Sequence, residues 1–243
     1  MVQRTPTVRS PKSIGRIVGL LLLVQSAAGY VVNMVLLRPV LSGPAGFLAN
    51  DAASAGRVRM AVLLGMTTGA LTVGIAITAW PLFRRHSGTM ALWFLALSIV
   101  GFSLLALEHV TVLTMLSLSQ EYASAGGAAT EHFQALGSVV RWMRYWAHYA
   151  NLIVSGGAIF VLYGALWRSA LVPRVLAAFG VAAALLHITA VTMPVLGYRI
   201  VFLLIMPLGL SHLALSLWLM TRGFDNRGHL LHAEARRVEL SGA

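Results

Sequence analysis

Apolar positions fill the chain in six long runs, at approximately residues 14–38, 59–82, 89–118, 137–167, 174–197 and 200–221. About 20 apolar residues suffice for a helix to cross the hydrocarbon core, so each run predicts one transmembrane helix. The fold class that follows is an all-α membrane protein, a six-transmembrane-helix bundle. The chain then divides into an N-terminal segment (1–13), the transmembrane domain (14–221) and a basic tail (222–243), with no room for a separate soluble domain.

Polar positions inside the runs are few and therefore informative. The stretch RWMRYWAHYAN, residues 141–151, carries Arg141, Arg144, His148 and Asn151 at spacings of three, four and three. On a helix these share one face, which predicts a polar stripe turned to the bundle interior, with Trp142, Trp146 and Tyr149 turned away. Along the other runs stand Gln25, Tyr30, Glu108, His109, His187 and His212. At 1.5 Å per residue, Gln25, Tyr30, Glu108, Arg144, His148, His187 and His212 each fall roughly 12–20 Å from the outer end of their run, which predicts a single polar layer.

A charged group at the membrane centre costs about 2.5–3.5 kcal/mol on insertion scales, so such residues face inward and find partners. Glu108 is the one acid within the runs, and the third and fourth runs form a hairpin. A buried Glu108–Arg144 ion pair is expected, with Arg141 one turn nearer the outer surface, at the mouth of any internal void.

Composition agrees with the pattern: 58% of residues are hydrophobic, 10% are charged, and the mean hydropathy is +0.80. The net charge of +11 would suit a nucleic-acid partner were it not for its distribution. Twelve basic residues fall on one side of a six-span chain, among them Lys12, Arg16, Arg84, Arg85, Arg168, Arg174 and Arg222, against Arg38, Arg57, Arg59 and Arg199 on the other. Positive residues stay cytoplasmic, which places both termini inside and calls for membrane lipids, not nucleic acid, as the partner of the basic charge.

Cysteine is absent, which excludes disulfides, thiolate metal sites and iron–sulfur clusters. The sole lysine, Lys12, precedes the first run, so no retinal-type Schiff base can form inside the bundle. The segment IVGLLLLVQSAAGY imitates a signal peptide, but the apolar run continues through YVVNMVLL, as a spanning helix does. His229 and His232 in the tail read as part of a solvated or membrane-surface segment. Gly15 and Gly19, then Gly65 and Gly69, have the small-xxx-small spacing that lets helices approach closely, and Ser155, Gly156 and Gly157 mark another narrow place. No internal repeat is evident.

The opening KSIGRIVGLLLL, the turn LVPRVLAAFG after the fourth run and the ending LWLMTRG resemble a bacterial integral-membrane family catalogued as domain of unknown function 4386. The likeness spans nearly all of residues 12–224 and implies a multi-pass protein of the bacterial inner membrane. It implies no reaction and no catalytic set.

The chemistry must therefore come from the residues. Arg141 and Arg144, with Tyr30 and Asn151, suit a small lipophilic or anionic ligand; Glu108, His148, His187 or His212 would move a proton in an isomerase-, cyclase- or hydrolase-type reaction. A cofactor reading uses His109, His148, His187 and His212 as ligands to haem iron or, with Glu108, to a divalent metal, although no HExxH or similar spacing supports it. The third reading is non-enzymatic: a structural or regulatory membrane protein whose polar residues only pair helices. Transport ranks behind these, since paired halves are not visible.

Overall fold

A computed structural model describes residues 10–41, 46–126 and 130–225; His229 and His232 lie outside the described residues. Six helical segments are long and apolar enough to cross a membrane. The first is α1 (Pro11–Tyr30), which runs on as a π-helix (Val31–Leu37) and an α-helical turn (Arg38–Leu41). A short helix, α2 (Gly46–Ala53), precedes α3 (Ala55–His86), α4 (Gly88–Ser124), α5 (Thr130–Ser169) and α6 (Arg174–Thr192). A 3₁₀ turn (Phe202–Leu204) then leads into α7 (Met206–Arg222). Among the described residues there is no strand.

Local chemistry sets the helix ends. Ser10 caps α1 by accepting from the Ser13 N–H at 3.2 Å, and Pro11 occupies the first turn, where its missing N–H is harmless. The α3–α4 hairpin needs one non-helical residue, Ser87, whose hydroxyl accepts from Met90 N at 3.3 Å. Pro194 lies in the turn after α6 and Pro207 in the first turn of α7, whereas Pro81 is carried inside α3. Hydrophobic side chains such as Leu63, Leu92, Val110, Leu203 and Leu210 stand more than half exposed, the surface expected of a bundle whose solvent is lipid.

Two elements are absent from the apolar pattern. The π-helical stretch is one; there Asn33 Nδ2 donates to Gly29 O at 3.0 Å, just before the wider turns begin. Helix α2 is the other. Ser119 of α4 accepts from Ala52 N (2.8 Å) and donates to Leu48 O (2.6 Å), so one buried hydroxyl fastens α2 to the bundle. The spans also run longer than their apolar cores: α4 continues to Ser124 and α5 starts at Thr130.

Both ends of the spanning region meet in space. A Cβ on Gly15 would collide with the Phe224 backbone, and one on Gly19 would fall 2.7 Å from Leu219 Cβ and 2.9 Å from Ser216 O. The α1–α7 contact therefore exists because these two positions carry no side chain. Phe224 is fully buried, edge-on to Phe83, and Asp225 N donates to Leu171 O at 2.9 Å. We call this the terminal end of the bundle and the opposite one, with α2, the distal end.

Gly74, by contrast, faces open space, with nothing within 4 Å of a Cβ built on it. Gly19→Leu should lower the detergent melting temperature by several degrees, since overpacking costs about 1–3 kcal/mol. Gly74→Ala should hold or raise it, because Ala outranks Gly in a helix by about 1 kcal/mol. Equal melting temperatures for the two variants would show that α1 and α7 do not pack through Gly19.

Candidate functional site

The predicted single layer resolves into two tiers. The depth estimate assumed helices ending with their apolar cores, but α4 and α5 extend past them. Counted along the helices from the terminal end at 1.5 Å per residue, Gln25, Asn151, His187 and His212 lie roughly 15–27 Å up, and Glu108, His148 and Arg144 roughly 30–37 Å.

The upper tier is ionic. Glu108 Oε1 accepts from His148 Nδ1 at 2.9 Å and from Arg144 Nη2 at 3.5 Å, so the expected Glu108–Arg144 pair is present with His148 as a nearer partner. The Glu108 side chain is 3% exposed against 20% for Arg144 and 29% for His148, so the acid is the buried member. Spacing explains the convergence: Arg144 and His148 are one turn apart on the face of α5 that packs on α4. Trp142, Tyr145, Trp146 and Tyr149 pack ring against ring beside this face; Trp142 and Trp146 are stacked and exposed as the stripe predicts, whereas Tyr149 is half-buried with its ring edge-on to His148. His109 turns the other way. Its ring lies where a Gly65 side chain would be, and both ring nitrogens are buried without a partner among the described residues.

The lower tier lines a cavity of about 660 Å³, within the roughly 300–1,000 Å³ usual for small-molecule sites. Its walls are mostly apolar, including Phe94, Phe102, Leu105, Ile159 and Leu162, with Gln25, Ser98, Asn151, Ser155, His187 and His212 as polar points. Among the described residues no Arg, Lys, Asp or Glu lines it. His212 Nδ1 lies 3.2 Å from Leu208 O, which can only accept, so Nδ1 carries the proton and Nε2 is left as an acceptor. Tyr163, wholly buried behind His212, donates to Ser211 Oγ at 3.2 Å. His187 packs on Gly156 and keeps Nδ1 buried with no partner among the described residues. Asn151 Oδ1 accepts from Ser155 Oγ at 3.0 Å, which leaves the Asn151 amide N–H groups to donate.

Several expected placements are corrected. Glu108, Arg144 and His148 are not among the residues lining the cavity, because they sit one to two turns nearer the distal end and close on each other. Arg141 does not guard its mouth. It borders a separate recess with Gly46, Phe47, Tyr122 and Gln134, at the level where α2 covers α4. Tyr30 is 66% exposed; five residues after Gln25, it is rotated about 140° away from the cavity face. Among the described residues no three His, Asp or Glu side chains are placed to share a metal, since His109 faces α3 and His187 and His212 belong to the lower tier. Gln25, Ser26, Thr68, Thr72, Ser98 and Ser155 are polar lining residues outside the expected site. For Ser155 the available signal is its i, i+4 step from Asn151.

Six apolar spans around an internal cavity define a polytopic helical membrane protein with a buried pocket. Residues 17–223 match the family described as Domain of unknown function (DUF4386), and the chain belongs to that family. No curated protein and no solved structure matches it.

Leaving one member of a buried pair unmatched costs about 3–5 kcal/mol. Glu108→Gln and Arg144→Met should each lower thermal stability in detergent, and the double variant should recover much of the loss. His148→Ala should also be less damaging on the Glu108→Gln background than alone. Strictly additive losses across these cycles would mean that the three residues do not act as one cluster.

Proposed function

We propose that the cavity binds a small, neutral, hydroxyl-bearing amphiphile and that the protein is a membrane-embedded lipid- or small-ligand-binding protein. The observation that carries this reading is the pairing of an apolar void with unmet hydrogen-bond capacity on its wall, above all the acceptor nitrogen of His212 and the amide N–H groups of Asn151. Buried polar atoms normally have partners, so an orphan on a cavity wall favours a ligand group or water at that point. An alcohol fits because it donates to His212 Nε2 and accepts from the Asn151 amide. An anion fits poorly: with no cation on the wall among the described residues, its charge would stand uncompensated in low dielectric.

A specific observation favours the structural reading for the upper tier. Glu108 is matched by two donors and stands outside the cavity lining, which suits a lock between α4 and α5 better than an acid–base catalyst. Binding is therefore preferred to an isomerase, cyclase or hydrolase reaction. The arginine and lysine bias further supports an inner-membrane protein whose terminal end, with both termini, faces the cytoplasm.

Lipid extraction and mass spectrometry of the purified protein should find a hydroxyl-bearing amphiphile enriched over the bulk membrane. Ser155→Trp, which fills the void, should lose that enrichment while eluting as the same species in size exclusion. Bulk lipid composition in both preparations would defeat the binding reading. Reporter fusions after Gly126 and after Gly223 should give external and cytoplasmic signals respectively; one shared compartment would overturn the orientation.

A further inference from the structure

The cavity's lining residues divide sharply by exposure. Nearly all are buried or half-buried; the exposed ones are Ser26 on α1 and Phe202, Met206 and Gly209 on the segment leading into α7. Those two elements diverge from the terminal end outward. At Gly15 and Gly19 they are packed backbone to backbone, whereas at Gly29 and Gly209, both on the cavity wall, an added Cβ would meet nothing within 4 Å. The reasons lie in the chain. Beyond Tyr30 the first span continues as a π-helix whose buried residues Val32 and Leu37 pack with Val58, Ala61 and Val62 of α3. The last span becomes α-helical only at Met206, after a 3₁₀ turn. Neither element fills the wedge between them.

We propose that this wedge is a lateral portal, through which the occupant of the cavity enters and leaves by way of the lipid leaflet on the distal side. The inference rests on the cavity-binding reading and adds its route and the source of the ligand. The rim is apolar and exposed: Phe202 at 71%, Leu203 at 73% and Met206 at 68%. Such a rim is wetted by acyl chains, so a tail slides in without leaving an apolar medium while the hydroxyl head moves to Asn151, His187 and His212. The opposite route is shut, because the terminal end is closed by Phe83, Phe224 and the α1–α7 glycine contact. The occupant is thus a membrane-dissolved, single-tailed alcohol, with the hydroxyl inside and the tail trailing through the portal.

The full chain in nanodiscs, with a monoacylglycerol carrying a diazirine in its acyl chain, provides the test. On brief illumination the probe should label peptides containing His187 or His212, and labelling should grow with time after mixing. The chain has no native cysteine, so Met206→Cys permits the portal to be plugged after folding with a bulky maleimide. Loading and release should each slow by about tenfold on modification, the signature of a blocked path. The same preparation before modification serves as the reference, so misfolding cannot imitate the result. Rates that do not change on modification overturn the portal and leave cavity binding standing. Absence of labelling at these peptides, or undiminished labelling in Ser155→Trp, overturns the cavity reading itself.

Discussion

Hydrocarbon offers no hydrogen-bond partner, and every polar side chain in this bundle is placed by that constraint. Most hydroxyls solve it within their own helix: Thr68, Thr78, Ser98, Thr111 and Ser216 each donate to a carbonyl three or four residues earlier. Such back-bonding keeps these residues silent towards their neighbours. Glu108 has no such option. A carboxylate only accepts, and a helix has no spare interior N–H, so its donors must come from another span, as Arg144 and His148 do. What remains after both solutions is the His109 ring against Gly65 of α3, the buried His187 Nδ1, and the free valences of His212 and Asn151 at the void.

The architecture was legible to different degrees for physical reasons. Span number follows from transfer free energy summed over about 20 residues, a signal too large for local detail to disturb. The Glu108–Arg144 contact was legible because adjacent spans of a hairpin must be neighbours and only one acid was available. The close α1–α7 approach at Gly15 and Gly19 was foreshadowed by spacing, though its partner was not. Depth was misjudged because α4 and α5 stay helical beyond their apolar cores, so counting from apolar boundaries brought two tiers together. Tyr30 and Arg141 were misplaced by the same simplification, since shared depth says nothing about azimuth. The π-helical stretch leaves no trace in hydropathy, and nothing in the apolar pattern marks Ser119 as the hydroxyl that α2 bonds to.

The two tiers separate rigidity from recognition. The ionic cluster and the Gly65–His109 and Gly156–His187 contacts hold α3 to α6 as a fixed wall. Across the cavity stand α1 and α7, tight at one end and parted at the other. Any opening of the pocket then pivots about the glycine contacts and leaves the buried carboxylate undisturbed.

The same contact orders the assembly of the protein. The first of the six spans presents Gly15 and Gly19 to a partner, the end of α7, that is synthesised last among the six. Until then the glycine face of α1 meets only lipid or the insertion machinery, and the intermediate bundle of spans one to five is an open arc. Closure therefore waits for the last of the six spans. Ribosome-bound chains that lack α7 should remain open to passing lipids along the whole length of α1.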